Sequence, residues 1–304
     1  MIYNTTTSKV EAYNGSAWEQ AGGVDAFSIE YLVIAGGGGG NTNDDTTHGA
    51  GGAGGYLCNV NGENSGGNTS AQPAMFLPKS TNLQVTVGGG GGTNSVGSKS
   101  EFTSIMSIGG GKGAETSNKS GSAGSPNGRT SGGPTAAITT QIAGQGSQSG
   151  EGVAVHGSGG AGGAGANGAN GTNGVGGAGG AGLSSSITGS SVTRGGGGGA
   201  GGDGTTASGT NAGGAGGGGA GRMNATGIAG TAATGGGGGG GGFNPPVLSA
   251  GAGGSGTIIL RYPYNYSISF SGGAAGTTIA PSNSLEKVTT ITSSGTVSWS
   301  LIEE

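Results

Sequence analysis

Charge is scarce in this chain. Of its 304 residues, 10 are Lys or Arg and 14 are Asp or Glu, together 8%, where an ordinary globular chain carries about a quarter. The net charge of −4 comes with no basic stripe, so nucleic acid is not an expected partner. Cys58 is the only cysteine, which excludes an intrachain disulfide. Aromatics are 5%, too few for an apolar core that orders the whole length. No stretch approaches the run of about 20 apolar residues that spans a bilayer, so membrane insertion is not expected. The opening MIYNTTTSKVEAYNG has neither an apolar core nor a cleavage pattern. The reading is synthesis in a cytoplasm with no signal peptide, and release by a route such as lysis.

Glycine is what the chain has: 84 residues, against only 8 prolines. Glycine at about four times its usual share, without abundant proline, excludes collagen. Each glycine loses more backbone freedom on folding than any other residue. Such a chain is either disordered or folded by pairing backbone with backbone.

Three regions separate. Residues 1–26 read as a small polar attachment module with Tyr3, Tyr13 and Trp18 as anchors. Residues 27–262 are the glycine-rich body, and 263–304 regain a strand-like pattern. Within the body, IEYLVIA (29–35), LQVTV (83–87), FTSIMSI (102–108) and TIILRY (257–262) have the length and β-branched content of strands. YSISF (266–270), EKVTTIT (286–292) and TVSWSLI (296–302) alternate polar and apolar residues. No 3.6-residue period appears, so almost no α-helix is expected. Glycine falls on every third position from Gly159 through Gly180. That period matches a polyproline-II-type helix, which has no internal hydrogen bonds. Its N–H and C=O groups then need partners on neighbouring helices. The expected fold is mostly β or irregular: a small β-sheet or sandwich joined to a bundle of polyglycine-II helices.

The chain path suggests where chemistry would concentrate. Strand 29–35 runs into Gly36–Gly40, reaches the polar loop NTNDDTTH (41–48) and returns through Gly49–Gly55. Gly235–Gly242 leads out to FNPPVLSA (243–250), and 251–256 returns into strand 257–262. If the two strands share a sheet, both loops project from the far end of the bundle. A glycine bundle presents little side-chain chemistry on its flanks, and binding residues concentrate on loops held by rigid scaffolds. The candidate binding residues are therefore Asn41, Asn43, Asp44, Asp45, His48, Phe243 and Asn244, and their Asn, Asp and Phe chemistry suits a sugar or a surface protein.

Catalytic and metal chemistry find little support. GxGxxG matches such as Gly157, Gly159 and Gly162 lack the strand–turn–helix setting that gives the pattern meaning. With His48, His156 and Cys58 as the only His and Cys residues, no structural zinc set forms in one chain. Asp44, Asp45 and His48 read as an exposed polar turn, and Arg261 as a sheet-face or interface salt bridge. No enzyme activity and no cofactor are expected.

Several segments in order resemble the glycine-rich domain of phage tail-fibre and prophage-derived proteins. They are YLVIAGGGGG (31–40), GAGGAGGY (49–56), LQVTVGGGGG (83–92), EFTSIMSIGGGKGA (101–114), GLSSSITGSSVTRGGGGG (182–199), AGTAATGGGGGGGG (229–242) and GGSGTIILRYP (253–263). The opening YNTTT and YNGSAW segments are similar to a module boundary in phage fibre proteins. KVTTITSSGTVSWS resembles a strand pair that usually precedes such domains, whereas here it follows. The resemblance implies a virion protein: a tail-fibre or receptor-binding adhesin, most simply a homotrimer. Its N-terminal region would join other virion proteins, and its loops would meet a host glycan or protein. A capsid decoration or head-fibre protein, an ice-binding polyglycine-II protein and an inert matrix are the competing readings.

Overall fold

A computed structural model describes residues 2–4, 9–13, 18–20, 26–41, 49–78, 81–114, 144–153, 157–203, 209–242, 248–280 and 285–302. Before residue 26 it describes the backbone path alone. There, strands Ile2–Asn4, Lys9–Tyr13 and Trp18–Gln20 pair antiparallel in a three-stranded sheet. The described residues contain no α-helix; one 3-10 turn lies at Gly66–Asn68. The chain is mostly β, in several small antiparallel sheets.

The first of two larger sheets runs in the order Ala275–Ile279, Glu286–Ser293, Thr257–Pro263, Ala26–Ile34 and Tyr56–Cys58, and Met75–Pro78 pairs with the start of Ala26–Ile34. The second runs Ile105–Ser107, Ser100–Phe102, Leu83–Thr86, Gly295–Leu301 and Tyr266–Ser271. Side chains of a strand alternate between its faces, and the sequence AFSIEYLVI obeys this. Phe27, Ile29, Tyr31 and Val33 enter one apolar cluster, and Leu32 and Ile34 enter another. Ile258, Leu260 and Tyr262 join the first cluster and Ile259 the second. The continuous run YLVI is thus buried on both faces. The second sheet supplies Val85, Phe102, Tyr266, Val297 and Trp299 to the first cluster. Phe27 stacks on Tyr266 with ring centroids 4.1 Å apart, and Tyr262 meets Trp299 edge-on at 6.0 Å.

One sequence reading changes here. FTSIMSI is not one strand but the arms of a hairpin, with Phe102 opposite Ile105 and Glu101 opposite Met106. It turns at Thr103, whose φ is 54°, a conformation that β-branched residues rarely adopt. The tail serves both sheets: Glu286–Ser293 pairs with Thr257–Pro263, and Gly295–Leu301 pairs with Tyr266–Ser271 and Leu83–Thr86. The described strands of the tail therefore share their sheets and core with the body. Arg261 forms the expected sheet-face ion pair with Glu30, its cross-strand neighbour, and a second with Glu286 at 3.5 Å.

The glycine runs leave the sheets and pack by backbone alone. From the end of Ala26–Ile34, the N–H groups of Ala35, Gly38 and Asn41 donate to the carbonyls of Gly55, Gly52 and Gly49 at 3.0, 2.9 and 2.8 Å. Those of Gly36 and Gly39 donate to Ser98 and Ser95, and those of Gly37 and Gly40 to Gly254 and Gly251. Every third residue thus bonds to the same neighbouring run, and three neighbours are served in rotation. The same rotation organises 195–200 and 235–240: Gly197 and Ala200 donate to Gly180 and Gly177, and Gly237 and Gly240 to Gly196 and Gly199.

This packing explains why glycine is unbroken in some runs and periodic in others. A Cβ on Gly36, Gly37, Gly38 or Gly39 would fall on the carbonyl oxygen of Gly89, Gly236, Gly111 or Gly92 respectively. Along 36–39 each successive position faces neighbouring backbone, so every one of these four positions excludes a side chain. The 159–182 segment folds into three antiparallel runs: Gly160 donates to Ala169 and Ala169 to Ala178, and the chain reverses at the Thr172–Val175 bridge. Run 166–172 is largely exposed. There only Gly168 and Gly171 face backbone, at Gly160 and Gly157, while Asn167 and Asn170 accept the N–H groups of Gln148 and Glu151 on their side-chain oxygens. Alanine methyls fill the interstices, and Ala35, Ala50, Ala53, Ala161, Ala164 and Ala200 are fully buried.

Candidate binding end of the bundle

The hydrogen bonds fix the level of each run, and with it which loops share an end. Asn41 pairs with Gly49 at the end far from the sheets, and Ala35 pairs with Gly55 near them. Asn94 donates to Gly40, and Gly40 donates to Gly251, so the 92–95 turn and the 242–248 loop reach the same end as the 41–49 loop. Gly242 donates to Ala225, Met223 to Gly209 and Asp203 to Gly174. These bonds continue the row through the 223–227 turn, the 203–209 loop and the 172–175 turn. Gly171 donates to Glu151, and Val153 pairs with Gly157, which adds the 153–157 loop. Ala114 lies at this end too, since a Cβ on Gly49 would meet it.

Of the sequence candidates, Asn43, Asp44, Asp45, His48, Phe243 and Asn244 lie outside the described residues. The stems of their two loops are adjacent: Gly40 donates to Gly251 at 2.9 Å, and a Cβ on Gly40 would meet the Ala250 methyl. Asn41 is 1% exposed, and its side-chain amide donates to the carbonyl of Ala114. It belongs to the scaffold that ties two runs together and presents no accessible group. The end exposes Thr93, Thr172, Asn173, Asn224 and Thr226, which sequence reasoning passed over. Their sequence signal is the glycine runs that flank these short turns.

Near the sheets lies a polar group of a different character. Glu63 accepts the N–H and hydroxyl of Ser186 at 2.7 and 2.6 Å and faces the Cys58 thiol at 3.5 Å. Burial works to raise the Glu63 pKa, but hydrogen bonds from Ser185, Ser186 and Cys58 outweigh it and hold the carboxyl below its usual range. Burial, with the carboxylate of Glu63 adding to it, pushes the Cys58 thiol up to about 12, which keeps it in the un-ionised thiol form near neutral pH. Burial also raises Tyr31 to about 12. Among the described residues no group of His, Cys, Asp and Glu is placed to hold a metal, and no helix is long and apolar enough to cross a membrane.

A pair of small antiparallel sheets carrying backbone-bonded glycine runs defines the class of fold. The chain belongs to the glycine-rich domain family, whose model matches residues 12–263. No curated protein and no solved structure gives a significant match.

Proposed function

We propose that this protein is a host-attachment component of a bacteriophage virion, a tail-fibre or receptor-binding adhesin. In this reading the glycine runs are polyglycine-II helices and the two sheets form a sandwich that anchors them. The rotation of hydrogen bonds among three neighbours supports the helix type, because three residues per turn aim each successive N–H at a different neighbour. One observation carries the functional reading. The stems of loops from along the whole body lie at one end, while the flanks offer mainly glycine, alanine and backbone.

The recognition surface comprises the 42–48 and 243–247 loops together with the exposed Thr93, Thr172, Asn173, Asn224 and Thr226. Its Asn and Thr groups suit a surface glycan, and the 1–26 module would join the virion. Replacing 42–48 and 243–247 together with short Gly-Ser turns is expected to abolish adsorption to host cells. The melting temperature should stay within a few degrees, because Gly40, Gly49, Gly242 and Leu248 keep their backbone bonds. Full adsorption by the folded variant would refute the assignment.

A further inference from the structure

Among the described residues, the lateral edges of the two sheets are guarded to different extents. At Tyr56–Cys58 the Gln145 carbonyl accepts the Tyr56 N–H at 3.1 Å, the Ser65 hydroxyl oxygen accepts the Cys58 N–H at 3.0 Å, and the Gln72 N–H donates to the Cys58 carbonyl at 2.7 Å. At Ile105–Ser107 the Gln145 side chain takes over, donating to the Met106 carbonyl at 3.1 Å and accepting the Ile108 N–H at 2.8 Å. At Tyr266–Ser271 the Lys287 ammonium donates to the Tyr266 carbonyl at 2.9 Å. Met75–Pro78 is short and ends on proline. These are the devices by which proteins keep sheet edges from pairing with other chains.

Ala275–Ile279 has none of them. It is the outermost strand of the first sheet, and all of its residues are exposed. Among the described residues, no backbone bond reaches its outer edge. The strand AGTTI has no charge and no proline, and Thr277, Thr278 and Ile279 are β-branched, the type favoured in strands.

We propose that Ala275–Ile279 is an assembly edge that pairs antiparallel with the same strand of a second copy of this chain. A strand paired antiparallel with itself is two-fold symmetric and self-complementary. The uncharged sequence sets no like charges opposite one another and brings threonines into cross-strand contact. The first sheets of the two copies become one continuous sheet. A single short strand pair buries less than the roughly 1,200 Å² of standard interfaces, so the association is reversible and concentration-dependent. Its two-fold symmetry gives an even-numbered assembly in place of the trimer expected from the resemblance.

The test uses the full chain and exploits the two faces of the strand. Thr278 bonds through its hydroxyl to Thr289 at 2.8 Å, so Thr277 and Ile279 lie on the opposite face, where both are exposed. Sedimentation velocity of the wild type is expected to show a mass that doubles as concentration rises. T277K/I279K and T277E/I279E are each expected to associate about tenfold more weakly or less, since like charges then oppose across the pair. An equimolar mixture of the two should dimerise again. Amide exchange at 275–279 of the wild type should slow as the dimer forms, a readout independent of how well the variants fold. A mass that stays monomeric or rises threefold, a mixture that fails to dimerise, or exchange at 275–279 that ignores concentration would overturn the proposal.

Discussion

Gly237→Ala is expected to cost about 3 kcal/mol or more, at or beyond the upper end of overpacking penalties. The added Cβ would land on the carbonyl oxygen of Gly51, with the amide nitrogen of Gly198 also in contact at 2.9 Å. Both obstacles are backbone atoms of runs that are themselves bonded on several sides, so neither can swing away as the end of a side chain would. Relief would require separating 235–242 from 49–55 and 195–200 and breaking the bonds of Gly51 to Gly238 and Gly237 to Gly196. Gly89→Ala is the matched control. Gly89 is exposed, in an equally glycine-rich run, yet no atom lies within 4 Å of its added Cβ. That change should fall within about 0.5 kcal/mol, or stabilise slightly by restricting the unfolded chain. Chemical denaturation of the two variants measures the contrast. Equal effects would mean that glycine acts here only through flexibility.

Trp299→Ala should lose about 3–5 kcal/mol, the usual range for deleting a buried Trp or Phe side chain. Trp299 is 3% exposed and stands at the centre of the core between the sheets. Its ring lies 5.9 Å from Phe27 and 6.4 Å from Phe102. The indole Nε1 has no hydrogen-bond partner, so Trp299→Phe forfeits volume alone and should be much milder. A loss as small as that of a surface substitution would show that the 295–301 strand is not part of a shared core. Both variants are read by thermal or denaturant melts followed at the backbone bands.

Much of the fold was legible because its signals are local. The alternation of AFSIEYLVI and TVSWSL specifies strands, and the threefold spacing of 159–182 specifies runs that meet by backbone. What was not legible shares one physical cause. A glycine run carries no side-chain label, so its neighbours are decided by packing across hundreds of residues. Nothing near Gly38 in sequence names Gly52, Gly111 and Gly238 as its partners. Short elements were missed for a related reason. Tyr56–Cys58 and Leu183–Ser185 are too brief to show a period, and the hairpin at Thr103 conceals its turn because Phe102 and Ile105 remain apolar on either side. Gln145 gave no warning of its role, since one side chain guarding a sheet edge has no sequence pattern. At the candidate site, the out-and-back path of the two long loops could be read from the glycine runs. The burial of Asn41 could not, because it depends on the carbonyl of Ala114.

The central claim is that these glycine runs are an ordered, backbone-bonded scaffold and not a flexible linker. Amide hydrogen exchange across 35–41, 195–200 and 235–240 tests it most directly. The bonding described here predicts protection of these amides comparable to that of Ala26–Ile34 and Thr257–Pro263, lost together with the sheets on unfolding. Exchange at the rate of an unstructured glycine-rich chain in these segments, alongside protected sheets, would contradict it.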